Sequence, residues 1–229
     1  MPRMRVLTAL ALLAALPAAA AAQAAPLARP ATPRVGLLAG FTSSTIAADD
    51  DEDVPTRRRN GFLGGAYLAL PLGTGGLALR PELLYVQKGA RIREADFEVD
   101  ATIQLDYVEV PVLLEYTVPV TGGLRPQFYA GPAFGYQARC AVSARGGGLS
   151  VSGSCDDLSD DADDPTARRR FEASGVVGGA LAFGAGRQQV TVGARYTHGF
   201  SELFEDSSAK NRAFSLYASL EFPIARARR

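Results

Sequence analysis

The chain has 229 residues, 47% of them apolar, with 24 Lys and Arg against 24 Asp and Glu. That is enough for one barrel or sandwich of ordinary size. No excess of positive charge is present to neutralise a phosphate backbone, so nucleic acid is excluded as a natural partner.

Arg3 and Arg5 precede an apolar segment at 6–16, and Ala20, Ala21 and Ala22 offer small residues to a signal peptidase. Residues 1–22 are read as a cleaved secretory signal, because the apolar run is shorter than the roughly 20 residues of a spanning helix. Without Arg3 and Arg5, 22 basic side chains stand against 24 acidic ones, a net charge of −2. Residues 23–33 form an Ala/Pro linker, 34–224 the folded domain and 225–229 a basic tail.

Eight segments then alternate with period two, which predicts strands at 34–42, 60–70, 77–89, 102–118, 124–139, 171–183, 188–197 and 211–224. Connections after the first, third, fifth and seventh are long and polar (43–59, 90–101, 140–170 and 198–210). Those after the second, fourth and sixth are tight (71–76, 119–123 and 184–187). A Greek-key sandwich has no reason to obey this rule. An eight-stranded antiparallel up-and-down transmembrane β-barrel does, because its periplasmic turns are short and its outer loops long.

Parity then assigns the faces. Phe41, Phe62, Phe134, Tyr136, Phe171 and Phe214 point outward near the long-loop ends, and Tyr116, Phe128, Phe183 and Phe222 near the tight turns. Two aromatic girdles result. Inward fall Arg80, Glu82, Lys88, Glu109, Glu115, Arg125, Arg195 and Glu221, four charges of each sign that can pair in a narrow lumen. Inward glycines at 65, 131, 135, 178 and 193 leave room for these long side chains. Leu84, Val86 and Leu113 also point inward, which fits a polar lumen poorly. Pro81, Pro111, Pro126 and Pro132 each remove a ladder donor, so bulges or gaps are expected at them.

In the last strand Phe214, Leu216, Ala218, Leu220 and Phe222 alternate towards a terminal aromatic. This resembles the C-terminal signal read by the barrel-assembly machinery, although here residues 223–229 follow it. The segments PELLYVQKGA at 81–90, LDYVEVPVLLEY at 105–116, FYAGPAFGY at 128–136 and RYTHGF at 195–200 resemble the PorT-type outer-membrane β-barrel domain family. The resemblance implies an eight-stranded barrel in the outer membrane of a Gram-negative bacterium. That family includes a member linked to protein secretion and carries no catalytic residues to transfer.

Chemistry is sparse. Cys140 and Cys155 share one Gly- and Ser-rich segment of an exported chain, which predicts a local disulfide closing a loop worth roughly 3 kcal/mol. His198 is the single histidine; with Ser201 and Glu202 it is weighed as a catalytic group and read instead as an interfacial side chain, so no enzyme activity is expected. Aspartates at 49–51, 53 and 156–164 offer oxygen to calcium but lack the spaced Gly and bidentate Glu of a calcium loop, so no metal or cofactor is assigned. Arg triplets at 57–59 and 168–170 follow both clusters and are placed to meet them or anionic lipopolysaccharide. Eight strands enclose just enough space for their own side chains, so an open pore is not expected. The function expected is that of a structural or interaction protein acting through outer loops on lipid, lipopolysaccharide or a protein partner. A soluble lipocalin-like carrier is the alternative, and it would need an apolar lumen and a polar exterior.

Overall fold

The structure, a computed structural model, describes residues 32–47, 56–94, 99–121, 123–146, 149–155, 170–184, 188–201 and 210–224. The signal segment 1–22, most of the linker, the aspartate runs, Arg168, Arg169, Glu202 and the tail 225–229 lie outside the described residues.

The described residues form nine antiparallel strands: β1 (Arg34–Ala47), β2 (Thr56–Pro71), β3 (Leu77–Glu94), β4 (Val99–Thr117), β5 (Leu124–Gly146), β6 (Leu149–Ser154), β7 (Phe171–Phe183), β8 (Gln189–Gly199) and β9 (Lys210–Pro223). Eight of them close a ring in the order β1-β2-β3-β4-β5-β7-β8-β9, with β9 returning to β1. Consecutive ring strands are neighbours throughout, the up-and-down topology expected from the loop lengths.

The ninth strand corrects the expectation that 140–170 is loop. β5 runs on for 23 residues to Gly146 and folds back as β6, which among the described residues pairs with β5 alone. The polar segment 90–101 is likewise mostly strand, with β3 ending at Glu94 and β4 starting at Val99. A barrel strand crosses a bilayer in about 9–11 residues. The 18, 19 and 23 residues of β3, β4 and β5 therefore stand well clear of it.

Register shifts fall between Arg58 and Leu63 in β2 and between Asp106 and Tyr107 against β5, where Ala138 is the extra residue. None of the four prolines is at a bulge. Instead the ladder skips Glu82 and Leu83 opposite Pro111 and Val110, and Val112 and Leu113 opposite Pro132 and Gly131, then resumes in unchanged register. A missing N–H donor costs local bonds without adding a residue, so the gap is the milder of the two expected outcomes.

The outward face is apolar in the middle of every ring strand. Leu37, Phe41, Leu83, Val110, Phe128, Phe134, Phe171, Val192 and Leu216 are all exposed, while the inward face is buried. A soluble carrier would carry these faces the other way round.

Candidate functional site

Inside the ring the side chains form three layers. Nearest the tight turns, Arg34 pairs with Glu221 at 2.8 Å, and the Tyr67 hydroxyl donates to the same carboxylate at 2.7 Å. Arg125, half-buried at this end, donates to Gln189, which donates in turn to Glu221 at 3.4 Å. Just above, Arg80 lies between Glu82 at 2.8 Å and Glu115 at 2.7 Å, and Arg195 closes on Glu82 at 2.6 Å.

The second layer is apolar. Leu38, Leu63, Leu84, Val86, Leu113, Ala133 and Val176 pack across the lumen as one buried cluster. Leu84, Val86 and Leu113, anomalous in a polar lumen, are its centre. Beyond it Lys88 sits between Glu109 at 2.6 Å and Glu172 at 2.8 Å, and Asn211 donates to Glu172 at 2.6 Å. Arg80 is 0% and Lys88 1% exposed, so each would be prohibitively costly to ionise without its two carboxylates. The eight charges read from the sequence thus fall into two separated clusters. Glu172 and Arg34, which are not among those eight, complete the balance.

Three buried tyrosines, to which the sequence alone gives no role, organise the charged layer. Tyr67, Tyr129 and Tyr217 stand directly opposite Gly36, Gly178 and Gly193 on neighbouring strands. Each ring fills the space that a Cβ on that glycine would occupy. Gly178 and Gly193 therefore make room for aromatic rings rather than for charged chains. The rings carry the cations instead: Arg80 lies 3.8 Å from the Tyr67 centroid and Arg195 4.8 Å from that of Tyr217.

A vestibule of about 400 Å³ opens at the tight-turn end, lined by Arg34, Arg125, Gln127, Gln189 and Glu221. Glu115 lines it as well, while Arg80 is fully buried.

At the other end the wall changes character at the Asp106/Ala138 bulge. On β4 and β5 beyond it, Leu105, Ile103, Val142 and Cys140 turn inward and pack with Ile46, Tyr107 and Cys155. Gln104, Thr102, Arg139 and Ser143 take the outward face. Cys140 and Cys155 form a disulfide with a Cα separation of 5.5 Å, holding β6 onto β5 from the inner side. Val151, in the middle of β6 opposite Ala144, is 66% exposed.

His198 is on the outward face, 6.3 Å from the Tyr196 ring and 5.7 Å from that of Phe200. The Ser201 hydroxyl accepts the Ala173 N–H at 2.9 Å, an architectural bond that fixes the end of β7. Of the assembly-signal residues, Phe214, Leu216 and Leu220 are exposed and Phe222 is half-buried, all on the outward face of β9.

An apolar exterior, a sealed ionic lumen and strands that outrun the bilayer on one side define a transmembrane β-barrel of eight strands. The chain belongs to the outer membrane protein beta-barrel domain family, whose model matches residues 21–205. It is a protein of the outer membrane. Among solved structures it is similar to Neisserial surface protein A, with 11% identity, a TM-score of 0.49, and 86% of this chain and 99% of that one covered. It is also similar to the outer membrane protein OprG from Pseudomonas aeruginosa (9% identity, TM-score 0.46, 86% and 99% covered). For the attachment invasion locus protein Ail of Yersinia pestis the identity is 15%, the TM-score 0.40, and the coverage 84% and 100%. Comparison with curated proteins finds no match.

Proposed function

We propose that this is a structural or interaction protein: the barrel anchors it, and the sheet standing above the Asp106/Ala138 bulge makes its contacts at the cell surface. The observation that carries this reading is the reversal of the wall at the bulge. Beyond it the strands no longer meet lipid, yet they stay paired and are fastened by the Cys140–Cys155 bond. Ordering so many residues outside the bilayer costs conformational entropy that a mere anchor has no need to spend.

The apolar layer supports a closed barrel over a pore, and the outward, aromatic-flanked position of His198 supports an interfacial role over catalysis. Within the family, the segments at 81–90 and 105–116 favour a PorT-type member. Export with removal of 1–22, and insertion by the barrel-assembly machinery through the Phe214–Phe222 face of β9, belong to the same proposal.

Two measurements test it. A photoreactive side chain at Val151 should give discrete protein or glycolipid adducts on whole cells, while one at Val110 labels acyl chains only. Proteoliposomes should not swell in small sugars. An unlabelled Val151, or sugar entry at porin-like rates, sinks the proposal.

A further inference from the structure

The outward face of the protruding sheet is ordered by its ladder into rows. Arg57, Arg91, Thr102, Ser143 and Ser152 stand side by side across β2 to β6. The next row towards the membrane holds Gln104, Ala141 and Ser154, and the one below it Gln87, Asp106 and Arg139.

Two features of these rows call for an anion. Arg57 and Arg91 are both exposed and directly opposite each other, a like-charge pair that destabilises a sheet unless a counter-charge lies against it. Both acids near these rows are already engaged: Asp106 is buried, interacts with Arg59 and Tyr85 and faces Arg139 in register, and Asp100, one row further from the membrane, faces Arg93 and Arg145. The same face also carries a groove of about 580 Å³ lined by Gln104, Arg139, Ser143, Ser152 and Ser154. Hydroxyls and an amide suit sugar hydroxyls, and guanidinium forks suit phosphate oxygens. The cationic points of Arg139 and Arg91 lie four residues apart along the strands, about 14 Å, so the ligand should carry more than one phosphate.

The place of this surface decides the occupant. It begins directly above Phe134 and Tyr136 of the outer girdle and faces away from the barrel axis, so it borders the headgroups of the outer leaflet. We propose that Arg57, Arg91 and Arg139, with the serine-lined groove that runs from Arg139 towards β6, bind the phosphorylated sugar headgroup of lipopolysaccharide. This rests on the barrel being embedded up to the bulge.

The test uses the full chain in three bilayers: phosphatidylcholine alone, phosphatidylcholine with lipopolysaccharide, and phosphatidylcholine with chemically dephosphorylated lipopolysaccharide. Lipopolysaccharide retained per protein after detergent extraction should fall about tenfold in the Arg57→Ala/Arg91→Ala double variant, and by a similar factor for wild type with the dephosphorylated lipid. In phosphatidylcholine alone the same variant should unfold at or above the wild-type temperature, because a repulsion has gone; with lipopolysaccharide it should unfold below it. Arg139→Gln should lower retention without altering the heat-dependent gel shift. Equal retention by the double variant, equal binding of the dephosphorylated lipid, or a lower midpoint in both bilayers overturns the proposal. Loss of the gel shift by wild type would instead count against the embedded barrel itself.

Discussion

Below the bulge at Asp106 and Ala138, β4 and β5 turn Val108, Val110, Phe134 and Tyr136 outward and Tyr107, Glu109 and Gly135 inward. Above it the same two strands turn Gln104, Arg139 and Ser143 outward and Leu105, Ile103 and Val142 inward. Both strands run on through the bulge, but their surroundings change there. Acyl chains reward an apolar exterior and force ionic groups into a lumen where they can be paired. Once the strands emerge into water, the ordinary preference returns and the apolar side chains gather over the mouth. The polarity of a barrel wall therefore reports its solvent residue by residue, and the bulge, which breaks parity by one position, marks where the solvent changes.

Substitutions can break this contrast. Glu82→Ala should have the largest effect, because it leaves Arg80 and Arg195 in the lumen short of a shared carboxylate. A loss of about 3–5 kcal/mol is expected, read from urea unfolding in liposomes. Val110→Arg, on the lipid face, should cost about 2–4 kcal/mol in the same assay. Gln104→Arg, six residues away and also outward but above the bulge, should stay within about 0.5 kcal/mol. If both arginines are equally harmful, the boundary is not at the bulge. Smallest for the barrel as a whole is Cys140→Ser with Cys155→Ser. The hairpin loses roughly 3 kcal/mol of loop closure and should become protease-sensitive at 149–154, while the unfolding midpoint of the barrel does not move.

Much of the embedded region was legible in the sequence because period-two alternation and one-sided apolarity are imposed by lipid on every strand. Residues 77–89 and 102–117 show both, and the Gly- and Pro-rich tight turns mark where alternate hairpins close. Above the bulge the rule that made strands visible no longer holds. The extra Ala138 shifts parity, Cys140–Gly146 is short of outward apolar residues, and Gly- and Ser-rich β6 reads as loop. The lumen was half legible. Single charges stand out against an apolar strand, so Arg80 and Lys88 were found. Parity alone sets Tyr67, Tyr129 and Tyr217 inward, but which glycine seats each ring depends on register. Gly36 and Tyr67 are 31 positions apart and Gly178 and Tyr129 49 apart, distances at which only the folded ladder shows the match.

Those ring-over-glycine contacts also bear on how the cylinder closes. Tyr217 of β9 lies opposite Gly193 on one side and Gly40 on the other, so one side chain is keyed to both strands that flank it. A slip of one residue along either seam would swing the ring out into acyl chains, and a slip of two on the β1 side would set it against Leu38 or Thr42 instead of an empty seat. Only one alignment of β9 therefore seats this ring, and a sheet slipped along either seam would meet steric overlap there.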